Sequence, residues 1–265
     1  MDTVNLAGVE TSRFILGSNP FSGFGHQGVD RDLEMTRYYT TQRIKETLFE
    51  AEELGITTLL ARTGSHMMRI LLEYRDEGGK LQWFSQLIPD EGPLENHIRR
   101  AHSMNATACH IHGGVMDYLV AQNRTDEVKP LIDLIRELGM IAGIAGHSVR
   151  VFEWAEEHLD CDYYMCCYYN PSRRDERPEH VHGADEKYRP EDRDAMVKFI
   201  AHASRPVIHY KVLAAGRNDP AEAFSFAAQH LRDGDAVCVG VYLGDDNEML
   251  RKDVELFEQA IAAKV

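Results

Sequence analysis

The stretch GMIAGIAGHSVRVFEWAEEHLDCDYYMCCYYNP, residues 139–171, decides the fold. After Gly139, which ends a preceding helix, comes a short apolar run at Met140–Ile144. Helical spacing follows over Val149–His158, and a second β-like run closes the stretch at Tyr163–Tyr168. A strand, a helix and a strand in this order make a β-α-β unit, whose two strands lie parallel.

The same rhythm extends in both directions. Strands are expected at Phe14–Gly17, Thr57–Ala61, Leu81–Leu87 and Ala106–His112 before this unit, and at Pro206–Tyr210 and Ala236–Val241 after it. Helices are expected at Gln42–Leu54, His66–Arg75, Pro93–Met104, Val128–Leu138, Ala195–Ala203, Ala221–Leu231 and Asn247–Ala262. These make eight strand–helix units with no Gly/Ser/Pro-rich linker and no shorter repeat. With 265 residues, the chain matches the length of one α/β domain of the (β/α)₈, or TIM-barrel, class spanning 1–265. The long polar segment 171–192 follows the sixth strand, on the side where such barrels work, and reads as a lid.

Composition removes several classes of function. The formal net charge of −14 opposes binding to nucleic-acid backbones. No apolar run approaches the roughly 20 residues that a membrane helix needs. The first residues lack the basic-then-apolar pattern of a secretion signal. Five cysteines at 109, 161, 166, 167 and 238 fit no disulfide, zinc or iron–sulfur spacing and read as buried thiols. A cytoplasmic protein with a small-molecule substrate is expected; oligomeric state is left open.

In a barrel, the polar residues that end the strands converge on one mouth. They are Ser18, Asn19 and His26; Arg62 and His66; Gln86; His110 and His112; His147 and Ser148; Tyr168, Tyr169 and Asn170; His209 and Lys211; and Tyr242 and Asp245. Histidine titrates near neutrality and serves as acid, base or metal ligand. His112, His147 and His209 are the candidate acid–base groups or, alternatively, ligands of a divalent metal. The nearest carboxylate after the fourth strand is Asp117, and this shortage of carboxylates argues against a hard metal. Lys211, two residues past His209 and expected on the same face, is a candidate nucleophile or anion ligand. Arg62 is a candidate anion anchor. Gln86, Asn19 and Tyr169 suit a hydroxylated substrate. A second HxH pair, His180 and His182, lies in the expected lid.

Residues 143–171, with a Gly-rich strand end, a His-Ser pair, a helix and a strand closing in Tyr-Asn-Pro, resemble the aldo/keto reductase family. PVIHYKVLAAGR (206–217), CVGVYLGDDNEMLRKDVELF (238–257) and the opening ILGSNPFSGFG are similar to further parts of that family. The resemblance implies the same barrel and an NAD(P)-linked oxidoreductase acting on a carbonyl or sugar. Of the family's Tyr–Lys–Asp–His tetrad, His112 matches the His. Gln86 stands at the Lys position, Arg62 follows the expected Asp position, and His66 lies near the expected Tyr. Tyr210 matches a nicotinamide-stacking aromatic, and Ser148 and Asn170 fall near the carboxamide positions. Gly244-Asp245-Asp246 replaces the basic residues expected around a 2′-phosphate, which favours NAD over NADP. Two further readings stand beside the reductase. One is a non-redox sugar lyase, isomerase or epimerase using the strand-end histidines. The other is a ligand-binding barrel without catalysis.

Overall fold

The computed structural model describes residues 1–88, 92–172, 174, 176–178 and 186–264. Eight parallel strands close into a barrel in the order of the chain: β3 (Phe14–Gly17), β4 (Thr58–Arg62), β5 (Gln82–Leu87), β6 (Ala108–Ile111), β7 (Ile141–Gly146), β8 (Tyr163–Cys167), β9 (Val207–Tyr210) and β10 (Ala236–Gly240), which pairs back onto β3. The expected (β/α)₈ barrel is therefore present.

Side chains alternate along each strand. Ile15, Leu60, Phe84, Ala108, Ala145, Tyr163, Met165, Ile208, Ala236 and Cys238 pack together inside the barrel. Their neighbours Phe14, Leu16, Leu59, Trp83, Cys109, Ala142, Tyr164, Val207 and Val237 pack outward against the helices. All five cysteines are buried free thiols. The interior holds one histidine, His110, whose Nδ1 lies 3.1 Å from Tyr163 Oη. Tyr163 leans over β7 to reach His110 on β6 because Gly143 has no side chain; a Cβ there would sit 2.5 Å from the tyrosine ring.

A hairpin precedes the barrel: β1 (Thr3–Leu6) and β2 (Val9–Ser12) pair antiparallel. Ala7 and Gly8, both at positive φ, form its two-residue loop, and Asn5 Oδ1 accepts from Gly8 N at 2.7 Å. Val4 and Leu6 pack on the interior cluster, so the hairpin closes the barrel at the end opposite the mouth.

Ten α-helices are described, more than the expected set. The two additional ones lie after strands: α1 (Val29–Tyr38) in the segment after β3, and α5 (Gly113–Ala121) directly after β6. The remainder are α2 (Thr41–Glu53), α3 (Ser65–Asp76), α4 (Leu94–Ser103), α6 (Val128–Glu137), α7 (Val149–His158), α8 (Pro190–Ile200), α9 (Pro220–His230) and α10 (Met249–Ala263). Helix α8 begins at Pro190, where proline is well placed for a first turn, so the loop expected over 171–192 ends at Arg189.

Two outcomes follow. Leu6 is fully buried, so Leu6→Ala should lower unfolding free energy by about 2–5 kcal/mol in urea titrations; a loss under about 0.5 kcal/mol would mean that the hairpin does not seal the core. Burial holds His110 neutral, with its pKa lowered to about 3. The unfolded chain takes up that proton below its ordinary value near 6.5, so stability should fall as pH drops from there towards 3. His110→Gln should make the decline between pH 6.5 and 5 shallower than in the wild type.

Candidate active site

The mouth layer follows from the same alternation. Continuing the inward parity past the core brings Arg62, Gln86, His112, His147 and Tyr210 to one cavity of ≈590 Å³. Asn19 and Lys211 line it as well. So do Arg174 and Pro178 from the long loop after β8, which places part of the expected lid over the mouth. The same loop is fastened nearer α8: Glu186 lies 3.0 Å from His26 Nδ1 and accepts from Tyr188 Oη at 3.0 Å. His180 and His182 lie outside the described residues.

The centre of the site is a pair that the sequence did not suggest. His147 ends the turn after β7, and its Nδ1 lies 2.7 Å from Asp117 Oδ2. The same carboxylate accepts from the backbone N–H groups of His147 (3.1 Å) and Ser148 (3.1 Å). Asp117 reaches this position because α5 starts at once after β6 and packs against β7; both groups are buried. With Nδ1 donating to Asp117, Nε2 is the ring nitrogen left for a ligand. Gly113 makes the approach possible, since a Cβ there would come within 2.9 Å of His147 Cε1 and 3.0 Å of Tyr210 Oη.

His112 caps α5. Its Nδ1 accepts from Gly114 N at 3.2 Å, so the neutral ring carries its proton on Nε2. Its ring lies 6.4 Å from that of His147 at 70°. Burial, followed by the proximity of His147, Arg174 and Arg62, holds the His112 pKa well below the usual range. Burial also lowers His147, with Asp117 opposing and Lys211 and Arg174 reinforcing. Both rings are therefore neutral at neutral pH. Burial likewise lowers the Lys211 pKa, against the pull of Cys167 and Glu186.

Three expected groupings do not form. His209 faces the helix layer: Nδ1 lies 2.9 Å from Tyr168 Oη and Nε2 3.3 Å from Asp235, which Arg232 also holds. It shares its parity with Val207, so His112, His147 and His209 cannot hold one metal. Among the described residues, no group of three His, Cys, Asp or Glu is arranged for a metal ion. Lys211 and His209 were expected on one face, but the strand ends at Tyr210 and Lys211 takes φ +56°, which turns it into the mouth. His66 is exposed at the start of α3, 3.4 Å from Ser22 Oγ, and borders a neighbouring pocket with Arg62 and Ile88.

The expected cofactor residues separate too. Tyr210 lines the cavity, donating to Gly146 O at 3.4 Å. Asn170 is exposed, its N–H on Asp192, and neither it nor Ser148 lines the cavity. Tyr169 is buried behind the mouth, its Oη accepting from Asn218 Nδ2 at 2.8 Å. On the β10 side the lining includes Asp245 and Asp253, and the guanidinium there, Arg31, is engaged by Asp245 and Glu34. A nicotinamide dinucleotide held by Ser148 and Asn170, with its phosphates along this wall, does not fit these residues.

No protein-family model matches the chain, and no curated protein matches it. Solved structures do. A Pseudomonas aeruginosa protein described as an aldo-keto reductase is 17% identical, covers 97% of this chain and 94% of its own, and superposes with a TM-score of 0.62. An aldo-keto reductase of Bacillus halodurans in its holo form is 10% identical over 100% and 95% of the two chains, also at 0.62. A mandelate oxidase variant with benzaldehyde is 12% identical over 99% and 76%, at 0.56. The likeness is one of fold: the chain has a (β/α)₈ barrel that superposes over nearly its whole length on the barrels of these aldo-keto reductases.

Proposed function

We propose that this barrel is an enzyme that moves a proton on a small anionic hydroxy-carbonyl compound, as an isomerase or epimerase of a sugar acid or related molecule does. The observation that carries this reading is the Asp117–His147 pair at the mouth, 2.7 Å apart. A neutral imidazole, oriented by a carboxylate that also stabilises its protonated form, is suited to general-base work near pH 7.

His147 Nε2 takes the proton from the carbon next to the substrate carbonyl. The C–H electron pair moves into the carbon framework, and negative charge develops on the carbonyl oxygen. His112 Nε2–H donates to that oxygen, and Lys211 adds a cation beside it. Delivery of a proton from water to the opposite face of the same carbon gives an epimer; delivery to the neighbouring carbon, with the hydroxyl proton passing to the former carbonyl oxygen, gives an isomer. Arg62 and Arg174 are placed to hold an acid group of the substrate. The reductase reading is less well supported, because Gln86 occupies the lysine position and His66 stands apart from His112.

The measurement is loss of the C–H proton next to the carbonyl in D₂O, followed by proton NMR with glucuronate and 2-ketogluconate as probes. Exchange should proceed without dinucleotide. His147→Gln should reduce it by about 10²–10⁴-fold. Asp117→Asn should reduce it less and move the acid limb of the pH profile to lower pH, because Asp117 raises the His147 pKa. Absence of exchange, or exchange that survives His147→Gln, would overturn the reading.

A further inference from the structure

The cavity has two ends of opposite character. Arg62, Arg174 and Lys211 mark one, beside His112 and His147; Asp253 marks the other, beside Gly240 and Met249 at the start of α10. Asp253 projects from the buried face of α10, between Leu250 and Phe257, and is 4% exposed. Its carboxyl group makes no hydrogen bond and no ion pair with any other described residue. Burial, with Asp246 nearby, raises its pKa to about 7. A buried carboxyl group without a partner costs stability whether charged or neutral, and an apolar residue on this helix face would avoid that cost. The partner is therefore sought in the cavity that the group lines.

We propose that Asp253 is a ligand-binding residue of a second subsite, which takes the hydroxyl groups of a sugar unit attached to the acidic unit held at the cationic end. This rests on the proposed function for the acidic unit and extends it: the ligand is a glycosylated sugar acid, not a single ring. Three features of the far end agree. A carboxyl group can accept from, or when protonated donate to, sugar hydroxyls. The cavity's ≈590 Å³ corresponds to about 20 water volumes, ample for two linked sugar units. The cation on this wall, Arg31, is already engaged by Asp245 and Glu34, and Asp253 disfavours a second anion there, so the acid group belongs at the Arg62–Arg174 end.

The test compares gluconate with maltobionate, its glucosylated form, by thermal shift and calorimetry on the intact protein. Wild type should bind maltobionate at least about 10-fold more tightly, the affinity of one well-made polar contact. Asp253→Leu should lose that gain, keep gluconate affinity and leave the melting temperature of the ligand-free protein unchanged or raised; Asp253→Asn should keep part of the gain. Equal affinity for the two probes, or a gain that survives Asp253→Leu, overturns the subsite while leaving gluconate binding at the cationic end intact. A lowered melting temperature in ligand-free Asp253→Leu also overturns it, by making the carboxyl group structural. Failure of gluconate itself to bind overturns both this inference and the anionic-substrate reading. NADH binding that is lost in Asp253→Leu overturns it by assigning the far end to a dinucleotide.

Discussion

Every strand of the closed barrel presents alternate side chains to the axis and to the helices, and this parity decides which polar residues can meet a ligand. Inward parity runs from Ile15 to Gly17 on β3, through Leu60 to Arg62 on β4, through Phe84 to Gln86 on β5, and through His110 to His112 on β6. The lower members fill the core; the uppermost ones form the floor of the cavity. On β9 the inward pair is Ile208 and Tyr210, which sends His209 out to Tyr168 and Asp235. A one-residue change of register would exchange these sets and dismantle the site. The barrel's packing and its chemistry are therefore not separate properties of the strands.

Placement of the Asp117 carboxylate depends on what happens in the few residues after β6. His112 both ends the strand and caps α5, and the helix starts with two glycines. The absence of a side chain at Gly113 lets the His147 and Tyr210 rings lie against the helix start. The early helical turn then carries Asp117 back towards β7, where it accepts three hydrogen bonds from the His147–Ser148 segment. Those bonds leave the carboxylate well solvated by donors although it is buried. They also fix the imidazole orientation, so that the base is set before a ligand arrives.

The barrel was legible in the sequence because β-α-β rhythm is a property of the whole chain and survives errors of a few residues at each boundary. The mouth was legible only in part. Strands covered on both faces read as unbroken apolar runs, and such runs carry no sign of which parity is inward. PVIHYK is one of these: nothing in it separates His209, which faces helices, from Tyr210, which faces the ligand. The positive φ at Lys211 breaks the alternation, and lysine is not a residue type that announces such a conformation. Asp117 is the nearest carboxylate after the fourth strand, but the sequence carries no sign that a helix starting at Gly113 brings it to His147. Arg174 was hidden in a segment whose composition signals only polarity.

The charge distribution joins these features to a choice of ligand. The chain as a whole carries −14, yet arginine and lysine gather where the two neutral histidines stand. An acidic exterior repels small anions in general, while a recessed cationic patch with low-dielectric walls attracts them locally. Burial lowers the Lys211 pKa, and Arg174 and Arg217 act in the same direction, so a charged ammonium is disfavoured there without an anion beside it. Bringing an acid group into the patch reverses that penalty, and it leaves the hydroxylated part of the same ligand to extend towards Asp253. Neutral rings for proton transfer, cations for anchoring and a carboxyl group at the far wall thus impose one orientation on any ligand that satisfies all three.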